Sequence, residues 1–207
     1  FDSFVTRTKL RPLANQSISV KNAFFLLIIL LLGALLCVLF LNKKAFYFSL
    51  IALFLALTYP LTKRFFVMPQ AYLGLSFGMG IPIAFVANDV SVSMTTWLLF
   101  LANVFWAIAY DTAYAMVDKN DDVKLGMKTS AITFGKYEVV AIMLCYLFLF
   151  ISFAYLAIQR NFSSSFWIFW GLGLILPSKY SGRVSRSNLA PNLANFLESS
   201  SEVRFEI

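Results

Sequence analysis

The sequence contains no histidine among its 207 residues. That absence excludes histidine-based acid–base catalysis, histidine-ligated haem and most zinc sites. It leaves carboxylates, Lys, Arg and Tyr to carry any chemistry. Cysteine is nearly as scarce. The two present, Cys37 and Cys145, both fall inside apolar runs, where a cysteine packs as a small hydrophobe and neither a disulfide nor a metal pair is expected. Charge is scarce too, at 13% of residues against 60% hydrophobic. So little polar surface cannot coat a water-soluble domain of this length, and the surrounding medium must be largely lipid.

Uncharged apolar runs cover residues 24–41, 45–61, 71–87 and 139–158, each close to the length that crosses a hydrocarbon core. A fifth, 96–117, is interrupted only by Asp111, and a shorter sixth, 166–176, spans if the serines before it are included. The runs are continuous rather than alternating, and a helix satisfies its own backbone in lipid. The expected fold is therefore an all-α, polytopic transmembrane helical bundle with about six helices, not a β-barrel.

Six crossings place residues 1–21, 61–70, 118–136 and the tail on one side. Lys and Arg gather there: Arg7, Lys9, Arg11 and Lys21, then Lys63 and Arg64, then Lys119, Lys124, Lys128 and Lys136, then Lys179, Arg183, Arg186 and Arg204. The other side holds only Lys43, Lys44 and Arg160. By the positive-inside rule the first set is cytoplasmic. The net charge of +7 is then read as topology and attraction to anionic headgroups, and nucleic acid is excluded as a partner because no soluble segment interleaves bases with aromatics.

Against this background the stretch YDTAYAMVDKNDD (110–122) stands out, because it ends an apolar helix with four carboxylates. At 100° per residue Asp111, Asp118 and Asp122 fall within about 20° of one line, with Tyr114 beside them and Asp121 further round. Asp118, Asp121 and Asp122 could simply end a helix in water, where like charges at i, i+4 cost roughly 0.2–0.5 kcal/mol. Asp111 fits that account poorly. It lies roughly 16 Å deeper along the helix, where an acid costs about 2.5–3.5 kcal/mol and usually lines a wet cavity. Carboxylates one turn apart, without His or Cys, suit a hard cation such as Mg²⁺ bridging to a phosphate. Lys63, Arg64, Arg7, Arg11, Lys124 and Lys128 are available for the remaining phosphate oxygens. The ligand this anticipates is a diphosphate at the membrane surface attached to something apolar.

The segment YDTAYAMVDKNDDVKLGMKTSAITFG (110–135) resembles the second aspartate-rich motif of the UbiA superfamily of intramembrane prenyltransferases, in its 4-hydroxybenzoate polyprenyltransferase branch. Two further segments agree. RTKLRPLA (7–14) resembles the stretch after that family's first aspartate motif, and YPLTKRFFVMPQAYLGLSFGMGIPIAF (59–85) its next cytoplasmic loop and helix.

The resemblance implies a nine-helix fold with two aspartate-rich cytoplasmic loops binding Mg²⁺ and a polyprenyl diphosphate, whose prenyl group passes to 4-hydroxybenzoate in ubiquinone synthesis. It implies Asp118 and Asp122 as magnesium ligands, Asp111 and Tyr114 lining the cavity, and Arg64, helped by Lys63, on the diphosphate. Lys128, Arg7 and Arg11 are further candidates. Dihydroxynaphthoate or homogentisate is the alternative acceptor, and a transporter with intramembrane acids is the rival from another class.

The family's first motif is Asn-Asp-x-x-Asp-x-x-x-Asp, of which only the last acid is present, as Asp2, a third metal ligand. With Phe1 at the start and no signal peptide, the chain is read as a fragment lacking the rest of that motif and two helices, and hence as incomplete for catalysis. Lys128-Thr129-Ser130 stands where the family has Lys-Ser-Thr. Residues 1–176 are expected to form the partial membrane domain, and 177–207 a polar tail, disordered or out of the family's frame. The expected compartment is the bacterial inner membrane, with the mitochondrial inner membrane as the second choice.

The remaining features are read as structural. Gly74 and Gly78, followed by Gly80 and Pro82, give close helix packing and a kink. Gly126 and Gly135 serve turns, Asp89 is solvated, and the four Trp face lipid or the headgroup boundary.

Overall fold

A computed structural model describes residues 10–62 and 64–181, with backbone alone for 174–181. Every regular element among the described residues is helical: α1 (Val20–Leu39), α2 (Lys43–Thr62), α3 (Pro69–Gly78), α4 (Gly80–Ala87), α5 (Met94–Lys124), α6 (Ser130–Phe134), a 3₁₀ turn (Gly135–Tyr137), α7 (Glu138–Gln159) and α8 (Ser164–Ser181). Five stretches are long and apolar enough to cross a membrane: Val20–Leu39, Lys43–Thr62, Pro69–Ala87, Met94–Lys124 and Ser130–Gln159. Each coincides with one of the uncharged runs. With α8, whose 18 residues extend about 27 Å, they form the six expected helices.

α5 is the axis of the bundle. Helices α3, α4, α6 and α7 all pack on it, α2 packs on α3 and α4, and α1 packs at the edge against α2. No residue of α1 is buried, which fits a helix whose Leu, Ile and Phe side chains meet lipid on nearly every side. Cys37 accordingly lies exposed on α1, whereas Cys145 sits in the core, and both are free thiols. The core itself is built from Met79, Phe100, Val104, Ile108, Ala109 and Cys145.

The third crossing is broken in the middle. α3 stops at Gly78 and α4 starts at Gly80 with Pro82 in its first turn, where the missing N–H and the ring displace the preceding turn. Before the break α3 lies flush on α5. A Cβ at Gly74 would stand 2.9 Å from the Val104 carbonyl oxygen, and one at Gly78 3.0 Å from the Phe100 ring, so only hydrogen permits this approach.

Hydrogen bonds between connections fix the two ends of the bundle. At one end the Asn42 side-chain amide donates to Val86 O and to an Asp89 carboxylate oxygen. Asp89 is thus exposed, as expected, but held. At the other end Lys128 Nζ donates to Phe65 O (3.1 Å) and Thr133 Oγ1 to Val67 O (2.7 Å). The loop after α2 and the segment after α5 therefore share one end, as six alternating crossings require.

The expected turns are present: Gly126 and Gly135 both adopt positive φ, a region that favours glycine. Trp97 and Trp106 are exposed. Trp170 is instead half-buried and donates Nε1–H to Phe150 O at 3.2 Å. α8 runs to Ser181, so residues 177–181, read as the start of a polar tail, are helical. Residues from 182 onward lie outside the described residues.

Candidate functional site

The candidate site is the end of the bundle where the carboxyl-terminal turns of α5 meet the 64–68 connection and the 125–137 segment. α5 has 31 residues and extends about 46 Å, against a hydrocarbon core of about 30 Å. Its last turns can therefore stand in the headgroup region and beyond. The helix is continuous from Met94 to Lys124, so Asp111, Asp118 and Asp122 do lie along one face.

Burial divides the acids. Asp122 is 6% exposed, whereas Asp111, Asp118 and Asp121 are half-buried. Asp121 points toward Lys124, 3.9 Å away and one turn on, off the common line. Asp122 remains as a carboxylate almost removed from solvent, with Asp118 one turn before it. A buried carboxylate must be compensated by cations or donors. Asp111 lies deeper, half-buried on the same face of α5.

Toward the membrane interior three aromatics follow one another at four-residue steps, on a row that turns away from the acid line by about 40° per step. Trp106 stacks on Tyr110 (ring centroids 5.4 Å apart) and Tyr110 meets Tyr114 at a tilt (4.8 Å, ring planes 55° apart), with the Tyr110 and Tyr114 hydroxyls 2.9 Å apart. Phe77 of α3 extends the ladder beyond Trp106. Tyr114 is the rung that flanks the acids, with Tyr110 and Trp106 lying progressively further round the helix.

The cations are distributed unevenly. Arg64 is exposed in the turn that follows α2, where its backbone N–H donates to Leu61 O. Lys128 is exposed, with its amine partly engaged by Phe65 O. Arg11 is exposed. Arg7, Lys63 and Asp2 lie outside the described residues. Lys119, counted among the charges on this side, also pairs with Glu138 and donates to Gly135 O, tying α5 to the start of α7.

Sequence reasoning missed a buried polar network between these parts. Gln70, 1% exposed, accepts the Ser130 backbone N–H on its Oε1 at 2.9 Å. The Ser130 hydroxyl lies 2.6 Å from that of Thr112, and both residues are fully buried. The available signal was an uncharged polar side chain at the start of an apolar helix, directly after Met68-Pro69. Its partner lies sixty positions away and could not be read from the sequence.

Among the described residues no group of three or more Asp, Glu, Cys or His is placed to hold a metal ion by itself. The donors that do come close in sequence and on one face, Asp118 and Asp122, are hard oxygens. Two such carboxylates suit a hard divalent cation shared with a phosphate better than a softer metal or a closed protein cage.

A family model described as the UbiA prenyltransferase family matches residues 1–198. The chain is 56% identical over 146 residues to a 4-hydroxybenzoate octaprenyltransferase of Neisseria meningitidis, covering 70% of this chain and 49% of that protein. It is 48% identical over 170 residues to one of Burkholderia mallei, covering 82% and 59%. The chain thus spans about half the length of the curated relatives it matches. Among solved structures, the apo structure of a UbiA homolog from Aeropyrum pernix K1 superposes with a TM-score of 0.74 at 25% identity, covering 93% of this chain and 75% of that one. The helical architecture, the acid-bearing end of α5 and these matches agree, and the chain belongs to the UbiA prenyltransferase family.

Proposed function

We propose that the protein to which this chain belongs transfers a polyprenyl group from polyprenyl diphosphate to the ring of 4-hydroxybenzoate, a step of ubiquinone biosynthesis. The observation that carries this reading is the nearly buried carboxylate of Asp122 one turn from Asp118, with Tyr114 flanking them on the same helix. The relatives named 4-hydroxybenzoate octaprenyltransferase favour this acceptor over dihydroxynaphthoate or homogentisate. They also favour transfer over transport.

Asp118 and Asp122 would hold Mg²⁺, with Asp2 as a further ligand. The ion, when bound, supplies the positive charge that offsets the departing diphosphate. Arg64 and Lys128, joined by Lys63, Arg7 and Arg11, pair with diphosphate oxygens and orient the donor. The carbon–oxygen bond to the diphosphate breaks, and a carbon–carbon bond forms at the ring position beside the acceptor hydroxyl. The proton of that ring carbon is released. Tyr114 and Asp111 line the cavity where positive charge develops on the allylic carbon, and the ring face of Tyr114 and the carboxylate of Asp111 both attract such charge. Because these dipoles and charges are fixed before reaction, they need little reorganisation during it.

The excess of Lys and Arg at this end supports a cytoplasmic orientation by the positive-inside rule, and the bacterial relatives favour a bacterial inner membrane over a mitochondrial one. The test is prenyl transfer to labelled 4-hydroxybenzoate by the full-length protein in membranes with added Mg²⁺. Asp122→Asn and Asp118→Asn should each lower turnover about a hundredfold or more. Unchanged turnover in both variants refutes the assignment.

A further inference from the structure

Two connections meet at the acid end of the bundle, and four hydrogen bonds pin the segment between them. Thr133 Oγ1 and Lys128 Nζ reach back to the carbonyls of Val67 and Phe65. Gln70 receives the Ser130 N–H, and Ser130 in turn meets Thr112. Only the last two lie wholly inside the protein. Gln70 stands in the first turn of α3, six residues after Arg64. Thr112 is the residue after Asp111 on α5, and Ser130 opens α6 directly behind its N-cap Thr129. The chain Gln70, Ser130, Thr112 therefore crosses from the connection bearing Arg64 to the helix bearing the acids through one buried backbone N–H and two buried hydroxyls.

We infer that Gln70, acting through Ser130 and Thr112, is a positioning residue: it fixes the Arg64-bearing connection at a set distance from Asp118 and Asp122. The argument is one of satisfaction and rigidity. A buried amide with a single well-placed acceptor admits few alternative arrangements, because losing that acceptor leaves the N–H unpaired. The exposed bonds at Lys128 and Thr133 can exchange with water and define the spacing less sharply. A diphosphate bridging a metal on one side and a guanidinium on the other is sensitive to that spacing, since a misplacement of about 1 Å costs about a hundredfold where geometry limits a reaction. The inference rests on the proposed diphosphate site only for its effect on binding, not for its effect on the spacing.

The experiment therefore has two arms, both on the full-length protein with its cysteines replaced. In the first, spin labels at Phe66→Cys and Val123→Cys, both exposed positions, report the distance between the connection and the end of α5. The parent should give one narrow distribution. Gln70→Met, which keeps the length of the side chain and removes the acceptor, and Thr112→Val should broaden or split it, while Thr112→Ser restores it. A distribution in Gln70→Met and Thr112→Val as narrow as the parent's overturns the inference. In the second arm, calorimetry with Mg²⁺ and inorganic pyrophosphate should show affinity reduced about tenfold by Gln70→Met, with 4-hydroxybenzoate affinity unchanged. A parent protein that binds no pyrophosphate refutes the diphosphate reading alone, since the distance arm still decides the role of Gln70.

Discussion

Replacing Gly74 by Ala tests how closely the bundle is built around α5. The added Cβ would meet the Val104 carbonyl oxygen at 2.9 Å, the Val104 Cα at 3.1 Å and its Cγ1 at 3.2 Å. Two of the three atoms are backbone, so relief requires α3 and α5 to separate by several tenths of an ångström, loosening contacts along the face. Overpacking of this kind costs about 1–3 kcal/mol, and the better helix propensity of alanine returns at most about 1 kcal/mol. The net expectation is a loss of about 0–3 kcal/mol. Gly33 supplies the control, because a Cβ there meets nothing within 4 Å and Gly33→Ala should be neutral or slightly stabilising. Gly74→Leu should be far worse than either. Equilibrium unfolding in mixed micelles measures all three. Gly74→Ala equal to or more stable than Gly33→Ala would refute the close-packing argument.

Other consequences are equally direct. Arg64→Ala should raise KM for the prenyl diphosphate about tenfold or more while leaving KM for the aromatic acid unchanged, measured by steady-state prenyl transfer. Glu138→Gln should destabilise the protein by about 1 kcal/mol through loss of the Lys119 pair, and because that pair is partly exposed the effect should shrink with added salt in the same unfolding assay. Thr112→Val leaves the buried Ser130 hydroxyl without its partner and should cost about 1–3 kcal/mol in that assay, with Thr112→Ser close to the parent.

Much of the fold was legible because lipid simplifies the code. In a medium without water an uncharged run of twenty residues has few structures open to it, so each of the five spanning stretches follows from its apolar run. The break between α3 and α4 was likewise readable from Gly78, Gly80 and Pro82. Continuity of α5 beyond residue 117 was needed for the three acids to share a face, and the helix runs on to Lys124. What could not be read was the arrangement inside the connection expected at 118–136. It holds a short helix and a 3₁₀ turn, because Thr129 caps the first and Gly135 ends it. Lys119 resembled any cytoplasmic lysine until Glu138 came beside it. Gln70, Ser130 and Thr112 carry no local signal of their association, since their meaning depends on contacts across eighteen and sixty positions.

The central claim is that the acid-bearing end of α5 binds a diphosphate through a divalent cation held by Asp118 and Asp122. Calorimetric titration of the full-length protein with inorganic pyrophosphate, with and without Mg²⁺, tests it most directly when repeated on the Asp118→Asn, Asp122→Asn double variant. Binding should require Mg²⁺ in the parent and vanish in the double variant while the variant still unfolds cooperatively. Equal affinity without Mg²⁺, or undiminished binding in the double variant, would contradict the account.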